Sequence, residues 1–311
     1  MTRCSFPRAP AGAMFAAALV VCTGGLPHAG AGRTPAFPAP GILREAEPQP
    51  APARRIVSLV PAVTQMVFAI GAGSRLVGVS NYDREPAQVQ SLARVGGLLD
   101  PDTERILALK PDLVVLHAAQ HELEQRLTGA HIAYYSYAHK DLANVMTTIR
   151  ALGGLTGMRD GAERVARGIE EKLHTIAARV TGRPRPLVLL VIGRDPQSLR
   201  NIYANGGYGF LHDMVEVAGA RDVFEDVKRE NVQASTELIL ARRPEMIVEL
   251  NYGASAATPA DLSPWKALSS LPAVKTGRLY QLVGDRFVEA GPYVADATEQ
   301  LARTIHPEAF K

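Results

Sequence analysis

Residues 103–115, TERILALKPDLVV, occur a second time at 236–248 as TELILARRPEMIV, and this duplication decides the fold. The copies agree at Thr, Glu, Ile, Leu, Ala, Pro and Val, with conservative exchanges at Lys110/Arg243, Asp112/Glu245 and Val114/Ile247. Each reads as a short helix ended by a proline, which cannot continue a helix and biases the residue before it toward extended geometry. The apolar runs that follow, LVVL and MIVEL, are short, as buried strands of a parallel sheet should be. The distance between the copies far exceeds any solenoid period, so each belongs to its own domain. Two similar α/β lobes in one chain are the first expectation.

A shorter echo precedes each copy: MVFAIGA at 66–72 and MVEVAGA at 214–220. Both read as a helix closed by glycine at C′, where a left-handed backbone is needed. In the first lobe, residues 55–61 read as a buried strand running into a turn, 64–70 as a helix and 76–79 as a second strand. Loops are expected at 81–86 and 95–101, a helix over 117–127 and a strand over 132–136. Such strand–helix alternation argues for a parallel sheet flanked by helices, whose ligands sit at the carboxyl ends of the strands. That rule puts Pro61, Tyr82 and His117 along one edge.

The second lobe opens with a strand at 186–192 and a Gly- and Asn-rich loop at 193–209 carrying Tyr203 and Tyr208. Expected next are a helix at 210–218, a strand-like 222–224, the second signature copy, a helix at 262–271 around Trp265, a strand at 278–283 and a closing helix at 291–305. Between the lobes, residues 141–181 show helical periodicity, interrupted at Gly153-Gly154 and resuming at Asp160. Val165, Ile169, Leu173, Ile176 and Val180 mark one apolar face. A helix of roughly twenty residues spans about 30 Å, enough to act as a stiff strut.

With 311 residues, 47% apolar and 21% charged, the chain has material for two cores. A net charge of +3, with no basic cluster interleaved with aromatics, gives no case for nucleic acid. Both cysteines, Cys4 and Cys22, precede the folded part, which excludes a disulfide framework, a cysteine zinc site and a cysteine nucleophile there. Arg3 and Arg8 lead into an apolar run at 9–21, too short to span a bilayer but suited to a signal peptide. Ala29-Gly30-Ala31 offers a cleavage site, and Leu19–Cys22 a degenerate lipobox that would make Cys22 a lipidated N-terminus. Either route takes the protein out of the cytoplasm. Residues 33–53, rich in Pro and Ala, read as a tether.

RIVSLVPAVTQMVFAIGAGSRLVGVSNYD, VGGLLDPDTERILALKPDLVV and GFLHDMVEVAGARDVF together carry a resemblance. From about Arg54 to its end the chain resembles the periplasmic substrate-binding proteins of ABC importers that have a single long interdomain helix, which serve vitamin B12, siderophore and haem uptake. The SLVPAVT and VGVSNYD segments are most similar to the vitamin B12-binding members. The resemblance implies two Rossmann-like lobes with parallel-rich sheets joined by one long rigid α-helix. It implies a signal peptide at 1–31, a tether at 32–53, an N-terminal lobe at 54–140, the interdomain helix region at 141–182 and a C-terminal lobe at 183–311.

The same resemblance implies a monomer that carries a cobalt or iron chelate, with no cofactor of its own, to a permease dimer and its ATPase. Glu104 and Glu237 fall where family members present one acid per lobe to the permease. Both lie near helix starts, after the cap signals Asp100-Pro101 and Ser235, where an exposed acid also suits the helix dipole. Tyr82 and Tyr203 match aromatic cleft positions, and Tyr208 and His117 lie nearby. Where the B12-binding members carry cleft tryptophans, this chain has Leu98 or Leu99, Asn231 and Arg286. The corrinoid is the leading cargo, with a ferric siderophore or haem as the alternative, for which tyrosine or histidine could serve as axial ligand.

Two further classes have weaker signals. His117 and His121, four apart, would share one face of a helix and could ligate a bare metal ion, but HAAQH lacks the glutamate of HExxH and has no third ligand. For an enzyme, no GxSxG elbow or P-loop follows a strand, and Asn205-Gly-Gly-Tyr-Gly lacks the Lys-Ser/Thr of a phosphate loop. Asp285 and Glu289 are the nearest thing to paired carboxylates, and contact with ligand or solvent suits them better.

Overall fold

The computed structural model describes residues 51–253 and 260–311. The signal peptide, Cys22 and the tether up to residue 50 lie outside the described residues. At the end of the expected tether, Ala53 is buried and its N–H bonds the Leu155 carbonyl at 2.9 Å.

The first lobe is a parallel sheet in the order β3-β2-β1-β4-β5. Its strands are β1 (Ile56–Ser58), β2 (Leu76–Val79), β3 (Ala93–Arg94), β4 (Leu113–His117) and β5 (Ala133–Tyr137). Helices α1 (Pro61–Ala69), α2 (Thr103–Ala108) and α3 (His121–Gly129) connect them. The second sheet runs β11-β10-β6-β7-β9, with β8 also paired to β6. Here β6 is Leu187–Gly193, β7 Ile202–Gly206, β8 Arg221–Asp222, β9 Arg229–Ala234, β10 Met246–Asn251 and β11 Leu279–Val283. Its helices are α6 (Phe210–Val217), α7 (Thr236–Arg242), α8 (Pro272–Lys275) and α9 (Val294–Ile305).

The duplicated stretch does in both lobes what its sequence requires. In each copy a short helix, α2 or α7, feeds a central strand, β4 or β10, flanked by two parallel neighbours. The residue before each proline is a correction. Lys110 and Arg243 are left-handed, at φ 48° and 53°, and not extended. Their N–H groups still bond back into the helix, to Leu107 and Ile239, so the chain reverses at that residue and the proline follows the turn. The shorter echo behaves as expected: Gly71 and Gly219 take φ +93° and +79°. The next N–H in each case reaches back to Val67 (2.9 Å) or Val215 (3.1 Å).

Other expectations shift. Helix α1 begins at Pro61 and not at Thr64, because proline's fixed φ and missing N–H suit the first helical position. The expected loop at 193–209 contains β7, and β9 carries no apolar signal at all. IYANG and RENVQA are held antiparallel by backbone pairing, without the alternation that announces a strand. Around Trp265 the chain forms a 3₁₀ turn, Ser263–Leu268, before α8 starts at Pro272.

The interlobe segment is two helices, α4 (Leu142–Thr156) and α5 (Arg159–Val180). The expected break at Gly153-Gly154 lies inside α4, and the chain turns instead at Gly157, φ +67°. Gly153 serves packing: a Cβ there would sit 2.4 Å from the Ala162 Cβ, so its absence lets α4 and α5 close up. Gly161 does the same against α1, where a Cβ would lie 2.2 Å from the Ile70 carbonyl oxygen. The 22 residues of α5 span roughly 33 Å. Arg150 pairs with Glu163 and Glu170, and Lys172 with Asp296 and Glu299, tying α5 to α4 and to α9.

Two separate cores were expected, but the main apolar cluster is shared. It runs from Ile56 and Met66 through Ile149, Ile169 and Ile176 to Val248 and Leu301. Each sheet has a further outer cluster, around Leu116 and Leu127 in one lobe and around Phe224 and Trp265 in the other. The strut is therefore packed into the body of the molecule.

Candidate ligand cleft between the lobes

The loops beyond the carboxyl ends of the two sheets meet. From the first lobe, Gln65 on α1 donates through Nε2 to Glu289 at 2.6 Å, and Tyr137 at the end of β5 donates to the Ala290 carbonyl at 3.3 Å. Arg84 faces Asp285 at 3.8 Å, and the Phe210 N–H bonds the Lys140 carbonyl at 2.8 Å. Parallel strands end here by construction, which is why this edge gathers functional side chains.

Around this seam, His139 is the hub of an aromatic cluster. Its ring lies 5.0 Å from Tyr137 edge-on, 5.9 Å from His117 and 6.4 Å from Phe210. With Tyr208, Phe210, Glu230, Asn231 and Val288 it lines a cavity of about 160 Å³. Burial lowers the pKa of both histidines; Glu230, from the opposite lobe, pulls His117 back up, while His117 lowers His139 further. Both imidazoles are therefore neutral at physiological pH.

Acidic side chains of both lobes converge at the other end of the seam. Burial pushes the Glu289 carboxyl up to about 7, aided by Asp285, Asp83 and Glu85 and opposed by the Gln65 hydrogen bond. Asp83 is also raised, mainly by burial, although Ser80 donates to it and Arg94 is near.

The residues singled out from the sequence fall as follows. Pro61 opens α1, just past the end of β1. Tyr82 is 65% exposed, with its ring lying on the backbone of Gly97, where a Cβ would come within 2.5 Å of it. Leu99 stands out from the same loop, 94% exposed. Gln120 ties this loop to His117: it accepts the His117 N–H and donates to the Gly97 and Leu98 carbonyls. Tyr208 and Asn231 share the cavity with His139. Tyr203, on β7, is half-exposed beside the end of β6. Arg286 turns to Gln300 on α9 at 2.8 Å and covers the Phe287 ring, so it is not among the side chains of that cavity.

Two readings are corrected. His117 and His121 do not share a helix face, because His117 is the last residue of β4 and α3 begins at His121, which pairs with Glu124. The cap of α2 is Asp102, whose side chain accepts the Arg105 N–H at 2.9 Å, and not Asp100. Ser235 caps α7 as expected, accepting from Leu238 at 3.2 Å. Glu104 and Glu237 are exposed in the first turns of α2 and α7. The Glu237 carboxyl is held below its ordinary pKa by its own N–H and by Ser235 and Thr236. Among the described residues no group of three or more His, Cys, Asp or Glu is placed to hold a bare metal ion.

Sequence reasoning missed His139, Gln120 and Glu230. Had the carboxyl-end rule been applied to the strand at 132–136, the AHK that follows would have stood out. Glu230 lies on a strand without an apolar signal, and nothing local could have marked it.

Two α/β lobes packed on a long helix, with a shallow cleft at their facing strand ends, define a two-lobed binding protein. The periplasmic binding protein family model matches residues 56–285, and the chain belongs to that family. It is 28% identical over 266 residues to the uncharacterised ABC transporter substrate-binding lipoprotein YvrC of Bacillus subtilis, covering 83% of this chain and 82% of that one. The crystal structure of the periplasmic vitamin B12 binding protein BtuF of Vibrio cholerae superposes with a TM-score of 0.71 at 25% identity, covering 84% of this chain and 99% of that one. A periplasmic heme binding protein of Pseudomonas aeruginosa matches at 0.67 and 25%, over 82% and 93%. The family consists of binding proteins, not enzymes.

Proposed function

We propose that the protein is exported, captures a corrinoid of the vitamin B12 type in the interlobe cleft and delivers it to an ABC permease and its ATPase. One observation favours this cargo. Asp83, Glu85 and Asp285 gather at the seam around Glu289, whose carboxyl is raised to about 7 by burial and, secondarily, by these acids. Such a rim repels anionic haem propionates and carboxylate siderophores, whereas a corrin ringed by neutral amides meets no such penalty. The exposed rings of Tyr82, Tyr203 and Tyr208 supply faces for a flat macrocycle.

A haem or ferric siderophore is the second reading. It is favoured by the neutral imidazole of His139 and the nearby tyrosines, the side-chain types that ligate haem iron. In either case Glu104 and Glu237, one per lobe on equivalent helices, are the permease contacts, and the carrier acts as a monomer with lobes at 54–140 and 183–311. Incubating the protein with cyanocobalamin, haemin or ferric siderophores, then recording the visible spectrum after gel filtration, tests the assignment. Co-elution of cyanocobalamin supports it; co-elution of haemin alone replaces it with the second reading.

A further inference from the structure

We propose that His117 and His139 form a donor–acceptor pair that selects a carboxamide of the cargo over a carboxylate. The inference rests on the cleft being the ligand site, and it follows from the hydrogen bonds that fix each ring.

The His117 Nδ1 lies 3.1 Å from the Ala119 N–H, which can only donate, so Nδ1 accepts and the neutral ring carries its proton on Nε2. His139 is fixed the opposite way. The Ala290 carbonyl can only accept, so the Tyr137 hydroxyl proton goes to it at 3.3 Å. The phenol oxygen is then left to accept, and His139 Nδ1, at 3.5 Å, is its donor. The proton of His139 thus sits on Nδ1, and its Nε2 presents a lone pair. Among the described residues neither Nε2 has a hydrogen-bond partner. One ring offers an N–H and its neighbour offers an acceptor.

With the ring centres 5.9 Å apart, both rings are within reach of one primary amide. His139 also lines the cavity of about 160 Å³, which holds roughly five waters, enough for an amide-bearing side arm and far too small for a macrocycle. A carboxylate satisfies His117 but sets its second oxygen against the His139 lone pair, with no proton between them. Unpaired polar groups in a part-buried site are what give hydrogen-bonding pockets their discrimination. Tyr137, Lys140, Tyr208 and Glu230 are the other titratable groups facing the pair, and Lys140 and Glu230 carry opposite charges.

The test compares four probes by titration calorimetry: cyanocobalamin, its monocarboxylic acids, haemin and the diamide of haemin. Whichever macrocycle binds, the amide form is expected to bind at least about tenfold more tightly than the acid at about pH 8. Once acid puts a proton on the His139 Nε2, below the ordinary imidazole range, the ring becomes a second donor and the preference shrinks or inverts. His139→Ala should bring the two forms within about twofold of each other at about pH 8. The comparison of amide with acid uses the unaltered protein and stands even if that variant misfolds. An amide binding no more tightly than its acid at about pH 8 overturns the inference. If the haemin pair alone binds and shows the preference, the inference survives and the corrinoid reading falls. Binding of none of the four sinks both.

Discussion

Replacing Glu289 by Gln should stabilise the ligand-free protein at alkaline pH and not at acid pH. The folded carboxyl has its pKa pushed from 4.5 to about 7, chiefly by burial, so folding favours its protonated form. At about 1.4 kcal/mol per pKa unit the ceiling is roughly 3 kcal/mol. The side chain is not fully enclosed, and screening brings the expected figure to about 1–2 kcal/mol. The sign follows from proton counting. Between about pH 4.5 and 7 the folded state binds more protons than the unfolded state, so this group's contribution falls as pH rises and levels off above about 7. Glutamine keeps an oxygen to accept from Gln65, now 2.6 Å from the carboxylate, and has no proton to lose.

Urea denaturation of both proteins at about pH 4.5 and pH 8 measures the effect as a double difference, which cancels the other shifted groups. Asp222, raised to about 6 by burial, is the chief of these. Glu289→Gln should be close to neutral at the lower pH and stabilising at the higher one. An equal gap between the two proteins at both pH values would refute the account of a protonated seam.

Gly161→Ala should cost about 1–3 kcal/mol, read by the same denaturation assay, because the new methyl would lie 2.2 Å from the Ile70 carbonyl and force α5 off α1. Gly97→Ala should displace the Tyr82 ring, whose Cε2 lies 2.5 Å from the position of the added carbon. The expected result by calorimetry is roughly tenfold weaker binding of the cargo at little cost in stability. The double variant Glu104→Ala, Glu237→Ala should abolish cellular uptake while leaving cargo affinity unchanged, since both side chains are exposed away from the buried core. Because the strut shares its core with both lobes, cargo binding should produce only a small closure. Small-angle scattering with and without cargo checks this, and a large compaction would contradict it.

The sequence by itself determined the architecture. A helix, a proline and an apolar run written twice dictate two central parallel strands, because these signals act within a few residues of one another. Gly71 and Gly219 were legible for the same reason: a left-handed helix end has a local cost that glycine removes. Tertiary structure alone decided the rest. Gly153 looks like a helix breaker in sequence, yet it and Gly161 are contact points, since only the neighbouring helix or carbonyl explains the missing Cβ. Strands β7 and β9 exist through pairing with each other, and β9 brings Glu230 opposite His117. The tautomers of His117 and His139 depend on Ala119, Tyr137 and Ala290, the last of them 153 residues from its tyrosine partner. Proton positions in a cleft are set by groups brought together from distant parts of the chain, and local patterns carry no record of them.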